Sequence, residues 1–421
     1  MSAQSFTGTF TTYWLDQPEH HLWLREQTHQ LIAFGKAARL PDGGFGWLDE
    51  QGRLDNACRP QTLVTARMTH VYALAALQGI PGAAALVDHG LKALTTLFHD
   101  DEAGGWFSEV QEPGASDTKE AYLHAFVGLA AASATQAGRP GAHELLNDAC
   151  HIIDTHFWSD DEGAMRENSD RFWTEGEAYR GANSNMHSVE AFLAIADALN
   201  APAWRHRALS IAERLIHDNA RQAGYHVIEH FDDAWQPLRD YNQDKPGDPF
   251  RPYGVTPGHG LEWSRLLINL EAALLKNEGT APDWLARDAA ALFDAALAGW
   301  SADGAPGMVY TLDWAQQPVV HERMHWVMAE GVCTAAALLA RTGHAVYEHW
   351  YRTFWDYIDL YLIDRHHGSW HHELDRYNQP STTVWSGKPD IYHALQATLF
   401  PRLPQAPTAA QWLKRHPETL R

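Results

Sequence analysis

Six times along this chain a glycine-centred turn bearing aromatic residues recurs, and a long apolar stretch follows each copy. The copies centre on Gly44, Gly104, Gly163, Gly224, Gly307 and Gly368, as in DGGFGWLDEQGRL, DEAGGWFSEVQEP and HHGSWHHELDRYNQP. Most neighbours stand roughly 60 residues apart, with one longer step before the fifth, which marks a repeat architecture. Many of the polar residues that could do chemistry sit just after these turns, so the repeat also says where a site should lie.

Between the turns, apolar residues fall at helical spacing. Leu63, Ala66, Met68, Val71, Leu74 and Leu77 recur every three or four positions. A break from Gly79 to Gly82 separates this helix from a second, AAALVDHGLKALTTLF, which ends at the next turn. The spacing predicts the same couplet over 120–136 with 144–157, 186–199 with 204–219, 261–277 with 284–297, and 324–341 with 347–363. An opening helix over 22–38 and a closing one over 390–400 bring the expected count to twelve. The reading is all-α: one catalytic domain over residues 1–421, an α/α toroid of six units with six short β-hairpins at the ends of the helix pairs. Helices that follow a turn should form the inner ring, and those that precede it the outer ring. A closed ring is expected over an open superhelix, because the helices at the two ends of the chain can complete one unit together.

With 45% hydrophobic residues the chain can bury a large core, and no Pro/Ser-rich linker or low-complexity tract divides it. A formal net charge of -21 argues against nucleic acid or an anionic membrane as partner. Cys58, Cys150 and Cys333 are widely spaced and odd in number, and read as reduced thiols. The start, MSAQSFTGTF, has neither a basic nor an apolar leader region, and no apolar run is long enough to span a bilayer. A cytoplasmic protein is expected, as a monomer or a homodimer.

The first turns of the post-hairpin helices carry the chemistry. Asn56 and Arg59 precede the second helix, and Lys119 and Glu120 open the fourth. The sixth has Asn183, Asn185 and His187, and the eighth His259 and Glu262 in PGHGLEWSR. His321, Glu322 and His325 open the tenth, and Lys388, Asp390 and His393 the twelfth. In a closed ring these side chains face one pocket. Neutral imidazole suits proton transfer at neutral pH, and a helix N-terminus disfavours its protonation. Glu262 lies three residues after His259, on the same helical face, where the two can share hydrogen bonds. Arg59 is placed to stabilise a developing oxyanion. Among 18 Trp and 14 Tyr, Trp326 and Trp385 fall beside the expected pocket, where flat faces suit the C–H surfaces of a neutral sugar.

Other chemistries are open to the same residues. His321-Glu322-Arg323-Met324-His325 spells HExxH, a zinc-protease pattern, but no third ligand follows at the usual spacing. His366, His367, His371 and His372 are expected on a solvated hairpin. A glycoside hydrolase on the same toroid would need two carboxylates across the scissile bond, with Glu120, Glu175 and Glu262 as candidates. A non-catalytic sugar-binding toroid is a further alternative. Neither a Walker A loop nor a GxGxxG fingerprint is present, so no nucleotide cofactor is called for.

In CRPQTLVTARMTHVYA, NSNMHSVEAFLA, PGHGLEWSRLL, HWVMAEG and GKPDIYHALQA the chain resembles the N-acylglucosamine 2-epimerase superfamily. Within it the likeness is to the aldose–ketose isomerase branch of mannose and sulfoquinovose isomerases. The resemblance covers nearly the whole chain. It implies an (α/α)6 barrel and cofactor-free proton transfer through a cis-enediol, with neither metal nor other cofactor. By the same resemblance His393 would shuttle the proton between C1 and C2, and His259, oriented by Glu262, would assist ring opening or act as second acid/base. His187 and Arg59 would hold O1 and O2. Asn185, Trp326, Trp385, Glu322 and Arg251 complete the expected substrate contacts, with Arg251 and Lys388 the candidates for a sulfonate. The disaccharide 2-epimerases tend to show a Trp-Trp pair with a Gln before the Ala-Glu of the tenth helix; here His325, Trp326 and Met328 stand in that stretch. That leans towards a monosaccharide isomerase acting on mannose or lyxose, with a 2-epimerase as the rival.

Overall fold

The computed structural model describes Gly8 and residues 10–417. The stretch read above for a leader therefore lies mostly outside the described residues. Thirteen α-helices are described. They are α1 (Pro18–Gly35), α2 (Thr62–Leu77), α3 (Ala83–Thr96), α4 (Ala121–Gln136), α5 (Ala142–Ile152), α6 (Ala182–Leu199) and α7 (Pro202–Ala212). There follow α8 (Pro257–Glu278), α9 (Trp284–Ala296), α10 (His325–Thr342), α11 (Ala345–Tyr357), α12 (Tyr392–Leu399) and α13 (Ala409–Arg415).

The even helices up to α12 form a closed inner ring, each packed on the next and α12 on α2. The odd helices α3 to α11 lie outside their inner partners, and α1 covers α12, so the two ends of the chain complete one unit. Sequence pattern explains the division. Inner helices are buried on nearly every side, as over Val64–Ala75 of α2, whereas α3 buries one side only, through Ala83, Leu86, Val87, Gly90, Leu91, Ala93 and Leu94. Three outer helices (α5, α7 and α11) finish in a wide π turn, over Ile153–Phe157, Glu213–Ala220 and Ile358–Leu362. The short α13, which periodicity did not predict, packs against α2, α4 and α6.

A second ring closes over the helix ends. The segment that enters each inner helix pairs with the hairpin preceding the next one. Gln61 pairs with Glu109, Lys119–Glu120 with Asn168–Ser169, and Tyr179–Gly181 with His230–Asp232. Val255 pairs with Leu312, and Arg323–Met324 with Glu373–Leu374. The sixth link is the Lys388 N–H donating to the Leu48 carbonyl at 2.7 Å, which joins the last unit to the first. Five of the expected glycine turns close by antiparallel pairing, at Arg39 with Phe45, His99 with Trp106, Trp158 with Met165, Trp300 with Met308 and Ile363 with Trp370. The Gly224 copy differs: Gly224 ends a helical turn at φ 69°, and the chain pairs only later, Phe231 with Pro237.

Buried ion pairs lock these entry segments. Lys119 Nζ lies 3.0 Å from Asp100, Arg323 Nη2 2.6 Å from Asp303, and Lys388 Nζ 2.6 Å from Asp364. Burial works against each carboxylate, but the cation and the surrounding hydrogen bonds hold all three below the usual carboxylate range. Removing one partner would leave an uncompensated buried charge, at a cost of about 3–5 kcal/mol. Lys388 is thus a hairpin lock, not a free cation for a sulfonate. Among the described residues no helix is long and apolar enough to cross a membrane.

Candidate active site

All six inner helices send side chains to one mouth of the ring, into one cavity open to solvent. Arg67 comes from α2, Tyr122 from α4, Asn183 and His187 from α6, His259 and Glu262 from α8, His325 and Trp326 from α10, and His393 from α12. The longer step before the fifth repeat copy is taken up by an excursion that brings Pro249 and Phe250 to the cavity wall, with Phe250 edge-on to Tyr122 and Trp385.

Two histidines are held alike. Nδ1 of His259 lies 2.9 Å from Glu229 Oε1, and Nδ1 of His393 lies 3.0 Å from Glu330 Oε1. An ionised carboxylate only accepts, so each Nδ1 carries the hydrogen and each Nε2 keeps a lone pair. Both rings neighbour Trp326, at 5.2 and 5.9 Å between centroids. A close contact fixes that geometry: a Cβ on Gly258 would fall 2.6 Å from the Trp326 ring, so only glycine lets the start of α8 approach α10 this closely. Burial, followed by the nearby Arg67, His325 and His187, holds His393 well below the usual imidazole range. His187 and His325 are lowered to about 4, chiefly by burial. These rings are neutral at neutral pH.

Arg67 is the cation of the pocket. Its Nη1 lies 3.2 Å from Asp390, its Nη2 donates to the Tyr122 hydroxyl at 2.8 Å, and its guanidinium stacks over Phe126 and Tyr392. Deeper along the axis, Arg265 Nε donates to Glu330 Oε2 at 2.7 Å and its Nη2 lies 3.5 Å from Glu262 Oε1. Burial and the neighbouring Glu330 push the Glu262 carboxyl well above its usual range, against the pull of Arg265. The His187 Nδ1, Glu190 and Glu262 donor atoms lie within 4.8 Å of one another, the one group among the described residues with a metal-like cluster. The Arg265 guanidinium beside Glu262 and the Tyr392 hydroxyl bonded to Glu190 oppose a cation there.

Of the residues expected from sequence, His393, His259, Glu262, His187, Trp326 and Trp385 meet in this cavity. Four do not line it. Arg59 precedes α2 on the rim, bonded to Glu109 at 2.9 Å and to the Pro113 carbonyl. Asn185 turns away to bind the Met165 backbone and the Gly181 carbonyl, because two positions along a helix is more than half a turn; Asn183 faces the cavity instead. Glu322 lies in a separate surface hollow with His321 and Tyr377. Arg251 is held by both oxygens of Glu177, at 2.7 and 2.9 Å, in an adjoining groove.

Three further expectations are corrected. Glu262 does not orient His259; one helical turn carries it inward beside His187 and Arg265, and Glu229 takes the orienting place. The HExxH pattern is not helical, since α10 begins only at His325 and His321 pairs with Asp303. His372 is buried, not solvated: its ring stacks on His325 at 3.7 Å and lines the cavity. Arg67 and Glu330 had a signal in the sequence, as charges inside apolar inner-helix stretches that no surface can solvate. Glu229 had none, because only the hairpin packing brings it to His259.

The closed ring of helix pairs, with its carboxylate-bound histidines at one mouth, has the form of the enzymes built on an α/α toroid. Residues 43–397 match the family model of the N-acylglucosamine 2-epimerase (GlcNAc 2-epimerase), and the chain belongs to that family. A D-mannose isomerase of Pseudomonas cannabina pv. alisalensis is 55% identical over 403 residues, spanning 96% of this chain and 97% of that one. A D-mannose isomerase of Thermobifida fusca is 52% identical over 403 residues, spanning 95% and 98%. Among solved structures, a crystal structure of D-mannose isomerase matches with a TM-score of 0.82 at 27% identity, over 90% of this chain and 97% of that one.

Proposed function

We propose that this protein is a cofactor-independent aldose–ketose isomerase that interconverts D-mannose and D-fructose through a cis-enediol, and that it also accepts D-lyxose, which yields D-xylulose. The observation that carries the reading is the pair His259–Glu229 and His393–Glu330: two imidazoles with Nδ1 fixed and Nε2 free in one cavity beside Arg67. The mannose isomerase relatives support the choice of substrate.

In this reading His259 handles the oxygen-bound protons, first at the ring oxygen as the sugar opens. Nε2 of His393 then takes the C2 proton, and the electrons flow to O1. Arg67, in the role first given to Arg59, and His187 stabilise the charge on O1 and O2. Return of the proton from His393 to C1, with the O2 proton passed by His259 to O1, leaves the ketose. Glu262, held protonated, donates to a sugar oxygen, and Trp326 and Trp385 pack on the sugar's C–H faces. The protein acts in the cytoplasm as a single domain, monomer or homodimer; its three cysteines are free thiols, which fits a reducing compartment.

NMR of D-mannose with EDTA-treated protein in D2O tests this. Fructose carrying deuterium is the expected product. Glucose labelled at C2, with little fructose, would replace the isomerase by a 2-epimerase, and no change in mannose or lyxose would overturn the enediol reading.

A further inference from the structure

Arg265 touches the catalytic apparatus without lining the cavity. It is 3% exposed, its partner Glu330 is wholly buried, and Glu330 uses both oxygens, one for Arg265 Nε and one for His393 Nδ1. We infer that Arg265 is a positioning residue that fixes the tautomer of His393 by keeping Glu330 ionised.

The balance of charge around Glu330 is what requires it. Facing Glu330 are His187 and Glu190 from α6, Glu262 and Arg265 from α8, Cys333 on α10 itself, and His393 from α12. Three buried carboxylates thus share one guanidinium, with Arg67 further off and paired to Asp390. Glu190 is served by the Tyr392 hydroxyl and by Gln396 Nε2 at 2.9 Å. Burial raises both Glu262 and Glu330, Glu262 the further, while the charge and hydrogen bond of Arg265, at 2.7 Å from Glu330 against 3.5 Å from Glu262, pull Glu330 back down. The charge of Arg265 is therefore committed to Glu330. Without it Glu330 would be a buried carboxylate among carboxylates, and such a group takes up a proton. The consequence is specific. Glu330 gains one proton from solvent and donates it to Nδ1 of His393. The ring's own proton then sits on Nε2, where the base must be free. His259 has no such dependence, since among the described residues no Arg or Lys pairs with Glu229.

The inference rests on His393 as the base, so its test is read in two ways. Full-length protein labelled with 15N-histidine is compared with Arg265→Met, Arg265→Gln and Arg265→Lys, by 15N NMR of His393 and by mannose turnover across neutral to alkaline pH. Wild type should show hydrogen on Nδ1. In Arg265→Met or Arg265→Gln at pH 7 it should move to Nε2, with kcat down ~100-fold, KM nearly unchanged, and the loss shrinking as pH rises and Glu330 ionises. Arg265→Lys should restore most of the rate. A loss equal at every pH with the wild-type tautomer would mean Arg265 is only structural, and a wild-type profile in the neutral variants would also overturn the inference. Should Arg265→Met not fold, Arg265→Gln, which keeps polar contact with Glu330, carries the same outcomes. Turnover surviving in His393→Ala would fault the assignment of the base, while the tautomer result would still decide whether Arg265 governs His393.

Discussion

His259 leans on Glu229, a carboxylate carried by the hairpin segment that precedes α8, whereas His393 leans on Glu330 in the second turn of α10. The bond is the same and the surroundings are not. Glu229 belongs to the layer of links that joins one repeat unit to the next, close to the strand His230–Asp232. Glu330 belongs to the wall of the barrel and has its own cation. The difference teaches how a sixfold scaffold holds two histidines in unlike surroundings. It keeps the helix-start position of the histidine and varies where the orienting carboxylate comes from.

The strongest way to break the comparison is to remove each histidine. His393→Ala should abolish mannose turnover, a loss of ~10³-fold or more, and His259→Ala should cost ~10²-fold or more, each with cooperative unfolding retained. Near-wild-type rates in either would remove that residue from the mechanism. Next come the orienting carboxylates. Glu330→Gln should lower kcat ~10²-fold and Glu229→Gln ~10-fold, within what oriented acid–base groups contribute; equal losses would erase the asymmetry. The two arginines near α2 should separate cleanly. Arg67→Met, which removes a buried cation from the cavity wall, should lower kcat/KM ~10²-fold. Arg59→Ala, outside the cavity, should leave it within about twofold, since a half-exposed pair that touches none of the cavity residues is worth about 0–1 kcal/mol. Steady-state kinetics on D-mannose check both.

The smallest expected effect sharpens the comparison at the level of stability. His70, His187 and His325 are lowered to about 4 by burial, so between roughly pH 6.5 and 4 the unfolded chain binds more protons than the folded one. Stability is therefore fully present above the unfolded value and falls as pH drops through this window. Each of these imidazoles contributes at most about 3 kcal/mol to that fall. Glu262, raised by burial, works in the opposite sense and offsets part of the loss. Urea midpoints measured from pH 7.5 to 4.5 should decline, and His70→Gln, which lies outside the cavity, should flatten the decline.

How much of this was legible follows from particular residues. The helix periods of 62–77 and 121–136 and the inner–outer alternation could be read directly, because burial on all sides against burial on one stripe is written in local composition. The glycine turns at Gly104 or Gly368 could be read because left-handed backbone, at φ 77° and 85°, favours glycine. His187, His259 and His393 could be found through their shared phase in the repeat. Position just before a helix points to Arg59, and that rule ignores how far around and how deep a side chain points, which is what brings Arg67 to the cavity. Asn185 failed for the same reason, being two residues from the one that faces the cavity.

The sequence by itself determined the repeat, the helices, the ring and the kind of chemistry, because these rest on patterns within one unit. Tertiary structure alone decided which carboxylate serves which histidine, that His372 is buried beside His325, and that the last unit joins the first through Lys388 and Leu48. Those choices join residues tens to hundreds of positions apart. Hydrogen bonds and charge pairing act over a few ångströms of space, and no local period along the chain encodes that distance.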